Sequence, residues 1–329
     1  MLNNKSILIT GGTGSFGKKF IEIVLKKYPD IKKIIVFSRD EFKQFEMSNH
    51  PPFKDKKKIR FFIGDVRDKE RLYRAFEGID IVIHAAALKQ VLSCEYNPFE
   101  AIKTNVVGAQ NVINAAIDKG VKKVIALSTD KACSPINLYG ATKLCSDKLF
   151  IAGNAYTGCK GTILSVVRYG NVAGSRGSVI PFFKELINSG IKELPITDYR
   201  MTRFWLKLEQ AVEMVLDALD IMIGGELFVK KIPSMKITDL ALAMSPDSKF
   251  KEIGIRPGEK IHEMMISSED AKNIIELDKY YIIQPDFAWW NPEKNYKHGI
   301  NVNNKFEYHS GKNTEWLTIK QMRKMIDEL

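Results

Sequence analysis

Thr129-Asp130-Lys131 is followed closely by Tyr139-Gly140-Ala141-Thr142-Lys143, so a carboxylate, an amine and a Tyr-x-x-x-Lys pair can share one active site. Tyr139 and Lys143 are four apart and fall on one face of a helix. A lysine cation beside a phenol lowers the phenol's pKa from about 10, so that the tyrosinate can take a hydroxyl proton as hydride leaves. Thr129, at a strand end, is placed to hydrogen-bond the same hydroxyl. The pair alone points to hydride chemistry on a carbinol. Asp130 and Lys131 add an acid and a base, which suit expulsion of a hydroxyl once the carbinol is oxidised.

These groups need a nucleotide platform, and the N-terminal region supplies its pattern. Gly11-Gly12-Thr13-Gly14-Ser15-Phe16-Gly17 follows a short apolar run at 5–10 and opens an amphipathic stretch at 16–27. Glycines let backbone approach a pyrophosphate, and the helix N-terminus stabilises its charge. Short β-branched runs at 33–37, 59–63, 79–84, 123–127 and 161–168 alternate with helix-like segments. That alternation predicts an α/β fold, a Rossmann-type doubly wound parallel sheet. Past Gly170 the pattern loosens. We expect residues 1–170 to bind the dinucleotide and 171–329 to form mainly a smaller substrate-binding lobe, with segments crossing back to the first domain. Helical segments are expected at 139–150, 208–220 and 319–329.

The ends of the predicted strands name further cofactor contacts. Ser38, Arg39, Asp40 and Lys43 follow the second strand, where a dinucleotide site meets the adenosine ribose. Arg39 and Lys43 suit a 2′-phosphate and Asp40 a ribose hydroxyl, which favours NADP over NAD. Asp65 and Val66 are placed at the adenine, and the small residues Ala85, Ala86 and Ala87 let backbone pass the cofactor. His84 reads as a satisfied buried histidine.

The net charge of +11 admits nucleic acid, anionic membrane or anionic substrate as partners. The densest basic run, 54–60, lacks aromatic interleaving, and no nucleic-acid motif accompanies it, which argues against a nucleic-acid role; a composition rich in Lys, Asn and Ile accounts for the charge. The four cysteines show neither metal spacing nor a disulfide framework. With no run of membrane-span length and no leader-like N-terminus, the expected location is the cytoplasm.

The motifs together resemble the extended short-chain dehydrogenase/reductases. They are the glycine loop, His84-Ala85-Ala86-Ala87-Leu88-Lys89, Ser128-Thr129-Asp130-Lys131-Ala132 and the Tyr139–Lys143 pair. Val167-Arg168-Tyr169-Gly170-Asn171-Val172, Ser175-Arg176-Gly177-Ser178-Val179, the stretch 198–205 and Gly254-Ile255-Arg256-Pro257-Gly258-Glu259-Lys260 narrow the resemblance. It points to the C5-inverting UDP-N-acetylglucosamine 4,6-dehydratases of the pseudaminic acid pathway. The resemblance implies that Tyr139 oxidises C4 with the cofactor, Lys131 takes the C5 proton, Asp130 protonates the departing C6 oxygen, and hydride returns to C6. Lys131 must then be neutral, which burial and the Lys143 cation are expected to achieve. The same resemblance implies a UDP-sugar held by Lys89, Asn171, Thr197, Met201, Arg203, Arg256 and Glu259, no metal, and a homo-oligomer, dimer or hexamer. Membrane-anchored retaining relatives generally carry Met at the position of Tyr139, and the glucose enzymes carry Glu at the position of Lys131. The loop Gln90-Val91-Leu92 departs from the His-Val-Pro usual in the family. A UDP-sugar 4-epimerase is the alternative on the same fold, and an NADP-binding regulator without catalysis is a third.

Overall fold

The alternation of runs at the N-terminus becomes six parallel strands: β1 (Ser6–Thr10), β2 (Lys33–Ser38), β3 (Ile59–Ile63), β4 (Ile81–His84), β5 (Lys123–Thr129) and β6 (Ile163–Tyr169). The computed structural model describes residues 1–54, 56–290, 296 and 298–329. Asp55 of the basic run and part of the Asn- and Lys-rich tail therefore lie outside the described residues. Across the sheet the order is β3-β2-β1-β4-β5-β6, after which Leu227–Lys230 adds in parallel. Tyr280–Ile283, Ile274–Glu276 and Ile300–Asn301 extend that edge antiparallel, giving ten strands. The order in which strands are added reverses between β1 and β4, which opens a crevice at their carboxyl ends.

Strand periodicity decides the layers. Ile7, Ile9, Ile34, Val36 and Ile83 pack with Phe20 and Val24 of the helix Ser15–Lys27 and with Val212 and Leu219 of the helix Leu208–Ile221. Leu8, Ile35, Val82, Val124 and Val166 face the other way, onto Leu72, Val112, Ile113 and Phe150. Side chains alternate because the strand period is two, so both faces of the sheet must be apolar and covered. Each such aliphatic burial contributes roughly 1.5–3 kcal/mol before chain entropy is subtracted.

A third core gathers Ile180, Phe183, Leu194, Trp205, Met235, Leu240, Met322 and Met325. It belongs to residues after 170, whereas the Leu227–Lys230 strand and the helix Leu208–Ile221 join the main sheet and its cover. Small differences from the expected boundaries have local causes. β4 begins at Ile81 because residues 76–79 form a turn in which the Ile79 amide donates to the Phe76 carbonyl. β6 begins at Ile163 because Gly161, at φ 67°, ends the preceding 3-10 turn.

Candidate active site

The site forms where β5 stops. Thr129 caps a one-turn 3-10 helix, Asp130–Ala132, and Asn137 caps the helix Leu138–Gly153. The Asn137 side chain accepts from the Gly140 amide at 2.7 Å and donates to the Gly258 carbonyl at 2.7 Å. Gly140 is required by packing: a Cβ there would lie 2.1 Å from the Lys131 carbonyl oxygen. The acid–amine turn and the helix bearing Tyr139 and Lys143 therefore touch backbone to backbone.

Asp130 is buried, and its Oδ1 accepts from Thr129 Oγ1 at 3.0 Å and Lys131 Nζ at 3.0 Å. Lys131 Nζ also lies 3.1 Å from Oε1 of Glu263, a carboxylate only 2% exposed. Arg203 Nε approaches that same oxygen at 3.8 Å. Burial, then the Glu263 charge, push the Asp130 carboxyl above its ordinary range, which suits a proton donor. Burial pushes the Tyr139 phenol up to about 12, against the lowering influence of the Lys131 charge and a Thr129 hydrogen bond. The expected depression of this phenol by Lys143 is therefore not met; Lys143 is itself lowered by burial, with Asp147 opposing. The expectation of a neutral Lys131 also needs correction. Burial acts to lower its pKa, but the Asp130 and Glu263 charges outweigh that and hold the amine protonated.

Beneath the site a second buried set fixes the elements. Asp147, one turn beyond Lys143, accepts from Ser128 Oγ at 2.7 Å and Arg168 Nη2 at 3.1 Å. Arg168 Nη1 reaches the Met265 carbonyl at 2.8 Å, tying β6 and the helix to the segment that carries Glu263. Nothing local in the sequence marks Asp147 or Glu263, since neither sits in a motif.

All the residues expected at cofactor, substrate and catalytic positions line one cleft of about 1360 Å³. At one end Gly11 has φ 65°, and a Cβ there would come within 2.9 Å of the Ala86 backbone, so the glycine loop and the alanine run close on each other. The helix beginning at Ser15 has no acidic residue in its first turn, which leaves its N-terminal amides available to an anion. These features fit a dinucleotide pyrophosphate. At the adenosine end Asp40 caps the helix Glu41–Asn49 through the Lys43 amide and pairs with Lys43 Nζ at 2.6 Å. Asp65 pairs with Arg67 at 2.8 Å and lies 3.8 Å from Arg39, whose side chain stays 57% exposed. His84 is buried against Thr10 Oγ1 at 2.8 Å, and burial lowers its pKa to about 3, so it is a neutral structural group.

At the other end Thr197 and Met201 are buried in the wall. Asn171 Oδ1 is a buried oxygen without a protein partner. Lys89 Nζ donates to the Arg176 carbonyl at 2.8 Å, bringing the Lys89–Gln90 loop against the loop at 175–177. The two arginines expected at a diphosphate differ. Arg203 directs its guanidinium to the carbonyls of Thr202, Lys260 and Ile261 at 2.7, 2.9 and 3.0 Å, so it braces the wall. Arg256 is 53% exposed, with Glu259 3.3 Å from its Nε.

The family of polysaccharide biosynthesis proteins matches residues 7–285. The chain belongs to this family. Within known proteins it is 55% identical to the inverting UDP-N-acetylglucosamine 4,6-dehydratase of Campylobacter jejuni, over 99% of this chain and 98% of that one. It is 44% identical to a protein of Rickettsia akari named UDP-glucose 4-epimerase, over 99% and 96%. The crystal structure of Pen from Bacillus thuringiensis superposes with a TM-score of 0.90 at 38% identity, covering 100% of this chain and 98% of that one. The family resemblance and the α/β sheet architecture read from the sequence thus both hold.

Proposed function

We propose that the protein is an inverting UDP-N-acetylglucosamine 4,6-dehydratase working with a nicotinamide dinucleotide, preferably NADP. The observation that carries this is the pair of buried Asp130 and half-buried Lys131 packed against the Tyr139 helix in the cleft that also holds the glycine loop. The 55% full-length identity to an inverting dehydratase, above the 44% to a named epimerase, supports it.

When bound, the dinucleotide supplies the hydride acceptor for C4 and the hydride donor for C6. The chain's own groups do the rest. Tyr139, with Thr129 beside it, takes the C4 hydroxyl proton, and Lys143 holds the nucleotide side of the same helix face. The resulting ketone makes the C5 hydrogen acidic. Lys131 removes that proton, while Asp130, whose carboxyl burial holds above its ordinary range, donates to the C6 oxygen. Gly11, Thr13, Gly14, Ser15, Phe16 and Gly17 would hold the pyrophosphate, and Arg39, exposed beyond β2, would meet a 2′-phosphate. Arg256 and Asn171 would meet the sugar nucleotide's diphosphate.

Residues 1–170 would thus carry the dinucleotide and 171–329 mainly the nucleotide sugar. Exposed Leu92, Tyr96, Phe99 and Val107 support a homo-oligomer, dimer or hexamer, checked by light scattering. No helix among the described residues is long and apolar enough to cross a membrane, and we assign the protein to the cytoplasm.

Turnover with UDP-N-acetylglucosamine tests the function. The product should be lighter by one water, with no net cofactor reduction, and NMR in deuterated water should show deuterium at an inverted C5. An isomer of unchanged mass would identify an epimerase; unaltered substrate at high enzyme concentration would reject both.

A further inference from the structure

The dehydration assigned above asks two things of one site that conflict if only Asp130 and Lys131 are present. Asp130 must hold a proton for the leaving oxygen while Lys131 must hold none beyond its neutral state. A protonated Asp130 cannot also take up the lysine's proton. The structure supplies another acceptor. Glu263 Oε1 lies 3.1 Å from Lys131 Nζ, beside the Asp130 Oδ1 contact at 3.0 Å. Its carboxylate is 2% exposed, and its other oxygen, Oε2, is buried without a partner. Lys131 stands between these carboxylates with its side chain 24% exposed, and it lines the cleft together with Glu263.

We infer that Glu263 is a positioning residue that takes the proton of Lys131, so that a neutral lysine can act as base while Asp130 keeps its own proton for the C6 oxygen. This inference rests on the proposed dehydration. In the step, an Nζ–H proton of Lys131 moves to Oε1 of Glu263, leaving a lone pair on nitrogen. That pair takes the C5 proton; the C5–H electrons form the C5–C6 double bond; the C6–O electrons leave with oxygen, which receives the Asp130 proton and departs as water. Lys131, again cationic, then passes a proton across its 3.0 Å contact to the Asp130 carboxylate, and the set is restored with Glu263 still protonated. Every proton of the elimination is accounted for, and that step requires no further reactant.

At rest the surrounding charges favour the ionic form of this arrangement. Lys131, Arg203 and Lys260 face Glu263 and outweigh its burial, holding the carboxyl below its ordinary range. Asp130 faces the same lysine, and Tyr139 also senses the Lys131 charge. Expelling water from the cleft penalises the separated charges more than the neutral pair, because burial disfavours charged forms. A bound sugar nucleotide therefore favours the proton transfer. The buried Asp130 Oδ2 and Glu263 Oε2, both unpartnered, mark an acidic set built around one amine.

Glu263→Gln keeps the shape and removes the acceptor. Between pH 7 and 10 the wild-type kcat should not rise on this account. Any fall as Asp130 loses its proton is shared with the variants, so each profile is read as the ratio of variant to wild type. The glutamine variant should lose about 10²-fold in kcat at neutral pH and regain it about tenfold per pH unit as solvent deprotonates Lys131. KM and the transient reduction of bound cofactor on adding substrate should change little, since C4 oxidation does not use Glu263. Glu263→Asp, which keeps a carboxylate, should give a flat profile, and it carries the test if the glutamine variant does not fold. A flat profile in Glu263→Gln with kcat within about threefold of wild type, or a rising profile in Glu263→Asp, would overturn the inference. Wild-type enzyme that loses no water from UDP-N-acetylglucosamine would instead sink the dehydration itself.

Discussion

Tyr139 and Asp130 divide the proposed chemistry, and removing each should arrest it at a different point. Tyr139→Phe removes the base for C4 oxidation, so substrate should no longer produce transient absorbance of reduced cofactor, and kcat should fall about 10²–10⁴-fold. Equilibrium binding of UDP should remain within a few-fold. Asp130→Asn keeps the oxidation and the C5 exchange but removes the donor for the leaving oxygen. We expect deuterium to enter C5 from deuterated solvent while water loss falls about 10²-fold or more. The sign of the pH effect follows from Asp130's raised pKa: the donor is competent below it and lost as pH rises through it. A carboxyl of ordinary pKa would already be deprotonated at neutral pH, so a dehydration rate falling only on the alkaline side is the expected signature. The residues proposed for this chemistry were legible from their types and spacing. Their protonation was not, because Lys131 is held by Glu263, which no motif announces, and because Tyr139 is governed by burial more than by Lys143.

At the level of elements, Asn137 does two jobs with one amide. Its oxygen caps the catalytic helix and its nitrogen holds the Gly258 carbonyl, beside Arg256. Asn137→Ala should cost about 1 kcal/mol of stability from the lost cap and raise KM for the sugar nucleotide. Asn137→Asp preserves the cap and loses only the donor, so thermal melting should stay close to wild type while KM still rises. An unchanged KM in both variants would separate the Gly258 contact from substrate binding. The strands and the first and catalytic helices were readable because period-two runs, the glycine loop and capping residues are local signals. The brace formed by Arg203 was not readable. Its guanidinium reaches carbonyls of residues 260 and 261, and only folding brings that stretch beside it.

On the scale of the whole molecule, one cleft runs from the glycine loop to Arg256, so the proposed cofactor and sugar nucleotide would share walls drawn from both halves of the chain. Ligand binding should then stabilise the entire fold. At a hundredfold excess over its Kd, a dinucleotide adds about 2.7 kcal/mol, read as a rise in melting temperature. At equal concentrations NADP should raise it more than NAD, and Arg39→Ala should erase that difference while leaving the NAD response alone. Equal responses in wild type would remove Arg39 from phosphate recognition. The competing pairings are visible at this end: Asp40 is already occupied by Lys43 and the helix cap, and Asp65 by Arg67. That leaves Arg39, more than half exposed, as the cation poised for an added charge.

By itself the sequence determined the parallel sheet, the phosphate loop and the identity of the acid, amine and phenol, because each depends on residues close together in the chain. Tertiary structure decided the charge state of that set. Glu263 arrives from a distant segment, and burial removes the water that would otherwise screen it, so the carboxylate that sets Lys131's proton can be found only where the chain folds back on itself.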